Sequence, residues 1–198
     1  VRTVTGAAVE AAARRLAPHM SPTPPIFSAA LSDLLGAEVW LKLECLQPIG
    51  SFKIRGAANA IRSTPAGALA RGVLTASAGN MAQGVAWVAR EEGVPATIIV
   101  PDHAPQTKLD AIERLGGSVI KVPFERWWQA LEEGAYPGVE GLFVHPVADD
   151  AVMAGNGTIG LELVEDLDAI DTVLVPWGGG GLTTGIASAL HALSPRTR

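Results

Sequence analysis

"GVLTASAGNMAQG", residues 72–84, opens as an apolar, β-favouring run, passes through Ser77, Ala78 and Gly79, and continues with helical spacing. A strand that turns through small residues into a helix is the first half of a βαβ unit. The next apolar run, "ATIIVP" at 96–101, supplies the second half. The same alternation extends in both directions. It predicts strands at 38–44, 72–77, 96–101, 118–122, 142–146 and 172–177. Helices are expected at 6–16, 27–35, 51–63, 80–92, 106–115, 125–133, 151–166 and 182–193. Near-continuous runs such as "TIIV" (97–100) and "TVLV" (172–175) suit strands buried on both faces of a parallel sheet, with right-handed crossovers placing helices on each side. The predicted class is therefore α/β: open, mostly parallel sheets with flanking helices. Ligands of such sheets bind beyond the carboxyl ends of the strands, which directs attention to the turns after residues 77, 101, 146 and 177. Residues 62–72 and 132–141 read as surface loops.

Composition narrows the function classes. The 198 residues are 48% hydrophobic, enough for a substantial core. Charged residues make up 18% and the net charge is −5, which leaves no basic face for a nucleic acid. The one cysteine, Cys45, has no internal disulfide partner, and no Cys/His pairs stand at metal-ligand spacing. A reducing, cytoplasmic setting and no metal are expected. Glu10, Arg14 and Arg15 interrupt the apolar run that a signal peptide needs, and nothing approaches the ~20 apolar residues of a membrane span.

Four segments carry chemical interest. In "GSFKIRGA" (50–57), Ser51 is a good N-cap, placing Lys53 at a helix start. The helix dipole there, and removal from water by Phe52 and Ile54, both favour the neutral amine, which is a nucleophile and a base. A solvent-facing lysine is the plain alternative. In "ASAGNMAQG" (76–84), a strand end runs into a helix whose first-turn N–H groups can receive a carboxylate or phosphate, with Ser77, Gly79, Asn80 and Gln83 as further donors. An ordinary capped turn would look the same. In "VPWGGGGLTTG" (175–185), four glycines between an apolar run and a helix let the backbone wrap an anion. That segment matches neither the dinucleotide fingerprint nor a P-loop, so a small phosphorylated ligand is expected. In "MAGNGTIGLEL" (153–163), Gly155 and Gly157 flank Asn156 within a helix, which points to close helix packing ahead of a ligand role for Asn156. Asp149 and Asp150 read as the cap of that helix, and Phe124, Trp127 and Trp128 as packing.

These segments, in this order, resemble the fold type II pyridoxal-phosphate enzymes, and within them the threonine/serine dehydratase (ammonia-lyase) branch. The family's "G-S-F-K-x-R-G" matches residues 50–56, its "S-A-G-N-x-A-Q-G" matches 77–84, and its tetraglycine loop matches 178–181. The resemblance implies that Lys53 joins the aldehyde of pyridoxal 5'-phosphate and acts as general base, that Phe52 packs against the ring, and that Asn80 bonds its phenolic oxygen. It implies that Gly178, Gly179, Gly180 and Gly181 hold the phosphate. Ser77, Gly79, Met81 and Gln83 then surround the substrate carboxylate, partly through backbone N–H groups. The implied reaction is dehydration and deamination of a 3-hydroxy amino acid such as L-threonine or L-serine to a 2-keto acid and ammonia. The alternatives are an amino-acid racemase of the same fold or a non-catalytic cofactor-binding fragment.

The implied architecture has a smaller α/β domain at 50–145 inserted into a larger one formed by 1–49 and 146–198, with the cofactor between them and a homodimer as the assembly. The family continues past a helix such as 182–193, so part of the larger domain is expected beyond residue 198. Three positions depart from the family's usual residues. Met81 stands in place of histidine, Asn156 in place of glutamine and Trp177 in place of a small aliphatic residue. Ala78 stands where racemases carry the serine that serves the opposite face of Cα, which favours elimination.

Overall fold

The computed structural model describes residues 4–198. Helix α1 (Gly6–Leu16) begins under Thr5, whose side chain accepts from the Ala8 amide, and matches its predicted bounds. A short antiparallel pair follows, β1 (Pro25–Phe27) with β2 (Trp40–Lys42), joined through helix α2 (Ala29–Leu35). The strand expected at 38–44 is thus shorter, and its partner β1 overlaps the start of the helix expected at 27–35. A 3₁₀ turn at Glu44–Leu46 leads to α3 (Lys53–Arg62) and then α4 (Ala66–Leu69), the latter lying inside the segment expected to be loop.

The expected parallel sheet comes next. It is built from β3 (Val73–Ala76), β4 (Ala96–Pro101), β5 (Gly117–Val122) and β6 (Leu142–Phe143), in the order β5-β4-β3-β6 with every pair parallel. Helices α5 (Asn80–Glu91), α6 (Gln106–Arg114) and α7 (Phe124–Glu133) make the connections. Successive side chains of a strand point to opposite faces. Val73, Ile98 and Val100 accordingly join one core with Ile54, Ile61, Val85, Leu109 and Ile112 from α3, α5 and α6. Leu74, Ala76 and Ile99 face the other way, onto Ala130 and Trp127 of α7. Each fully buried isoleucine is worth about 1.5–3 kcal/mol against leaving it exposed. This doubly covered sheet is the rigid body from which the βα turns project.

Helices α8 (Asp150–Asp166) and α9 (Gly181–Leu193) complete the molecule. The Asp149 carboxylate accepts from the Ala151 and Val152 amides, so the acidic pair caps α8 as expected. Glycines bring three helices into backbone contact. A Cβ on Gly56 of α3 would fall 2.7 Å from Val152 Cγ1 of α8, and one on Gly157 would fall 2.7 Å from the Gly185 carbonyl of α9. Gly155 would meet the Arg55 carbonyl and Gly185 the Met153 carbonyl in the same way. The interior glycines of α8 therefore serve helix packing.

One expected strand is absent. Residues 172–177 form no strand and lie beside none among the described residues; Val173 N–H donates to the Arg198 carbonyl, and Arg198 N–H to that of the preceding Asp171. Val173 and Val175 pack on the α8–α9 cluster, whereas Leu174 is 89% exposed. The segment expected to be buried on both faces is covered on one. No helix among the described residues is long and apolar enough to cross a membrane.

Candidate functional site

Lys53 is the first residue of α3; Phe52, and not Ser51 as expected, stands at the N-cap position, while the Lys53 backbone N–H donates to Ser51 Oγ at 3.3 Å. Its amine donates to the Pro146 carbonyl at 2.8 Å and stands 5.3 Å from the Phe52 ring centroid. Burial lowers the Lys53 pKa below the ordinary lysine value. Phe52 in turn packs with Leu182 and Ile186 of α9 and Val175. The amine thus meets a carbonyl and a ring, in keeping with removal from water as the cause that lowers its pKa.

The start of α3 is anchored by ions that the sequence does not bring together. Arg55, only 2% exposed, donates through Nε and Nη2 to Glu44 and through Nη1 and Nη2 to Glu162 of α8. Lys42 adds ion pairs to Glu162 and Asp166, and Thr23 donates its hydroxyl to Glu44. Burial would lower the Arg55 pKa, but the two carboxylates outweigh it and raise it. Charge and geometry are satisfied together, which fixes α3 against α8 two residues from Lys53.

The glycine loop is held against the segment that Lys53 touches. A Cβ on Gly179 would lie 2.5 Å from Val147 Cγ1, and one on Gly181 would lie 2.8 Å from the Val147 carbonyl. Val147 directly follows Pro146, whose carbonyl receives the Lys53 amine. This short stretch is itself fixed by His145 Nδ1, which accepts from the Val147 and Ala148 amides at 3.1 and 2.8 Å. Gly180 sits at φ +85°, a left-handed conformation suited to glycine, and caps α9 without a side chain, so the first-turn N–H groups of α9 stay free for an anion. Within that turn, Thr183 Oγ1 is buried with no hydrogen-bond partner, an orphan of the kind a bound group satisfies.

The third segment reaches α3 from the sheet. Ser77 follows β3, its N–H donates to the Ile99 carbonyl, and its Oγ accepts from Gly79 N–H at 3.2 Å. Gly79 caps α5 in an extended conformation, so α5 begins at Asn80, whose side chain is exposed. Ser77, Gly79 and Gln83 are half-buried. The Met81 side chain is 2% exposed within the main core, leaving its backbone as the part that can face a ligand. A Cβ on Gly84 would lie 3.5 Å from Ile54 Cα, so the first turns of α5 and α3 pack together. A separate open cavity of about 490 Å³, lined by Phe143, His145 and Asp149 among others, includes none of residues 52, 53, 77–83 or 178–181.

Asn156 is 1% exposed, and its Oδ1 has no hydrogen-bond partner beside Gly56. It sits inside the α3–α8 contact. The roles of Pro146, Val147, Arg55 and Thr183 are absent from a residue-by-residue reading. Pro146 and Val147 act largely through backbone and bulk, and Arg55 finds Glu162 across 107 positions. For Thr183 the sequence signal is a hydroxyl two residues after the last glycine.

Comparison with known proteins gives the family. An L-threonine ammonia-lyase of Thermotoga maritima is 43% identical over 193 residues, covering 96% of this chain and 48% of the relative. A serine racemase of Oryza sativa subsp. indica is 37% identical over 192 residues, covering 96% of this chain and 56% of the relative. The solved structure of maize serine racemase superposes with a TM-score of 0.90 at 34% identity, covering 100% of this chain and 60% of that one. The chain spans about half the length of the curated relatives it matches. A family model described as pyridoxal-phosphate dependent enzyme matches residues 16–198, and with these likenesses it establishes that the chain belongs to the pyridoxal-phosphate-dependent enzyme family.

Proposed function

We propose that this chain carries the lysine and cofactor cradle of an ammonia-lyase that removes the β-hydroxyl from a 3-hydroxy amino acid such as L-threonine or L-serine, releasing a 2-keto acid and ammonia. The observation that carries the reading is the Lys53 amine, desolvated, bonded to the Pro146 carbonyl, and one residue away from the wall of the glycine loop. The residues are compatible with pyridoxal phosphate: side chains at Gly179 and Gly181 would collide with Val147, so only glycine lets the loop lie against that wall, and Thr183 Oγ1 lacks a partner.

In this reading Gly178 to Gly181 and the first turn of α9 take the phosphate through backbone N–H groups. Phe52 packs against the ring and Asn80 bonds its phenolic oxygen. Lys53 would hold the cofactor through Nζ and is the group placed to take the Cα proton; both tasks need the uncharged amine that burial favours. Ser77, Gly79, Gln83 and the backbone of Met81 hold the substrate carboxylate at the amino end of α5. Bound there, the cofactor supplies an acceptor for the electron pair left at Cα. Ala78 has no group to hold a proton on the opposite face, which supports elimination over racemisation. Racemisation is the second reading, favoured by the likeness to serine racemases.

With added pyridoxal phosphate, L-threonine or L-serine should yield a 2-keto acid and ammonia. Lys53→Ala should lower that rate by about 10²–10⁴-fold or more, as expected for loss of a general base. Full activity in that variant would overturn the assignment. Exchange of the Cα proton with inversion, in place of keto-acid release, would select the racemase.

A further inference from the structure

The glycine loop has a wall on each side, and one of them is unusual for an exposed residue. Val147 lies against Gly179 and Gly181. On the Gly180 side stands Trp177: a Cβ there would lie 3.3 Å from Trp177 Cη2 and 3.4 Å from Cζ2, so the outer ring of the indole rests on the glycine. Trp177 is 75% exposed, so this ring-on-glycine contact contributes little to the core. What it does cover is Gly180, the loop residue held at φ +85°.

We propose that Trp177 is a positioning residue for the phosphate cradle, acting through Gly180 to hold the loop in its anion-receiving conformation before the ligand arrives. The inference rests on the proposed use of this loop for the cofactor phosphate. Its physical basis is entropy. Successive glycines lose more conformational freedom on ordering than any other residues, and a loop that must be ordered by its ligand weakens binding by that cost. A ring laid over Gly180 removes alternative loop conformations in advance. A small aliphatic side chain at 177 stops short of Gly180 and leaves that face open.

The test compares Trp177→Val and Trp177→Phe with the unaltered chain, using three probes: inorganic phosphate, pyridoxal phosphate and unphosphorylated pyridoxal. Because the side chain is exposed, both variants should fold, which thermal unfolding checks. Trp177→Val should weaken inorganic phosphate and pyridoxal phosphate by about tenfold, the scale of freezing one loop residue. Trp177→Phe should lie between, since its ring ends before the atoms that touch Gly180. Pyridoxal, which lacks the phosphate, should give the same Lys53-dependent absorbance in all three proteins. Equal phosphate affinity across the series, or parallel loss of phosphate and pyridoxal binding, would overturn the role given to Trp177. An absence of Lys53-dependent absorbance with pyridoxal in the unaltered chain would instead refute the Lys53 assignment, while the inorganic phosphate titration still decides the fate of Trp177.

Discussion

Residues 96–101, "ATIIVP", and residues 172–177, "TVLVPW", are near-twins in composition and opposite in fate. The first is β4, paired with β5 along its length and with β3 over residues 96–99, with Ile98, Ile99 and Val100 fully buried. The second has no strand beside it among the described residues, packs the half-buried Val173 and Val175 against helices, and turns Leu174 and Trp177 to the outside. What separates them is company. A strand is completed by neighbours on its edges and cover on its faces, and apolar β-branched residues only make a segment ready for both.

That contrast can be broken first in β4. Ile98→Ala removes fully buried atoms between covered faces and should destabilise the fold by about 2–5 kcal/mol, read from the urea midpoint at constant slope. Lys53, half-buried, tests the middle of the range. Between its depressed pKa and the ordinary lysine value, the unfolded chain holds a proton that the folded chain has released. Stability should therefore rise with pH across that window, and below it the buried ammonium remains a constant cost. Lys53→Met should flatten the rise, seen as the difference between the two proteins in denaturation series at successive pH values. Leu174→Ala should be the mildest, within about 0.5 kcal/mol, because an 89% exposed side chain has little burial to lose. A Leu174 effect as large as that of Ile98 would mean that the two segments are not the opposites described above.

Legibility followed the range of the interactions involved. Helix starts were readable because their causes are local: Thr5 and Asp149 cap α1 and α8 from positions next to the helices. The sheet of 73–143 was readable because each strand is followed by a helix that returns the chain beside it. The antiparallel pair β1–β2 was not, because Pro25–Phe27 is three residues long and reads as the approach to a helix. The same rule divides the site. Lys53 and the four glycines announce themselves by type and spacing, whereas the Pro146 carbonyl, the Arg55 clasp and the direction of the Trp177 ring exist only once distant segments meet.

Gly56, Gly155, Gly157 and Gly185 set α3, α8 and α9 main chain to main chain. The radii of backbone atoms are the least variable dimensions a protein has, so a trio of helices spaced by them keeps its geometry through drift at other positions. Lys53 opens one of those helices and Gly181 another. The lysine and the glycine turn at these two helix starts are mounted on the same ruler, and substitutions on the outer surface leave its marks in place.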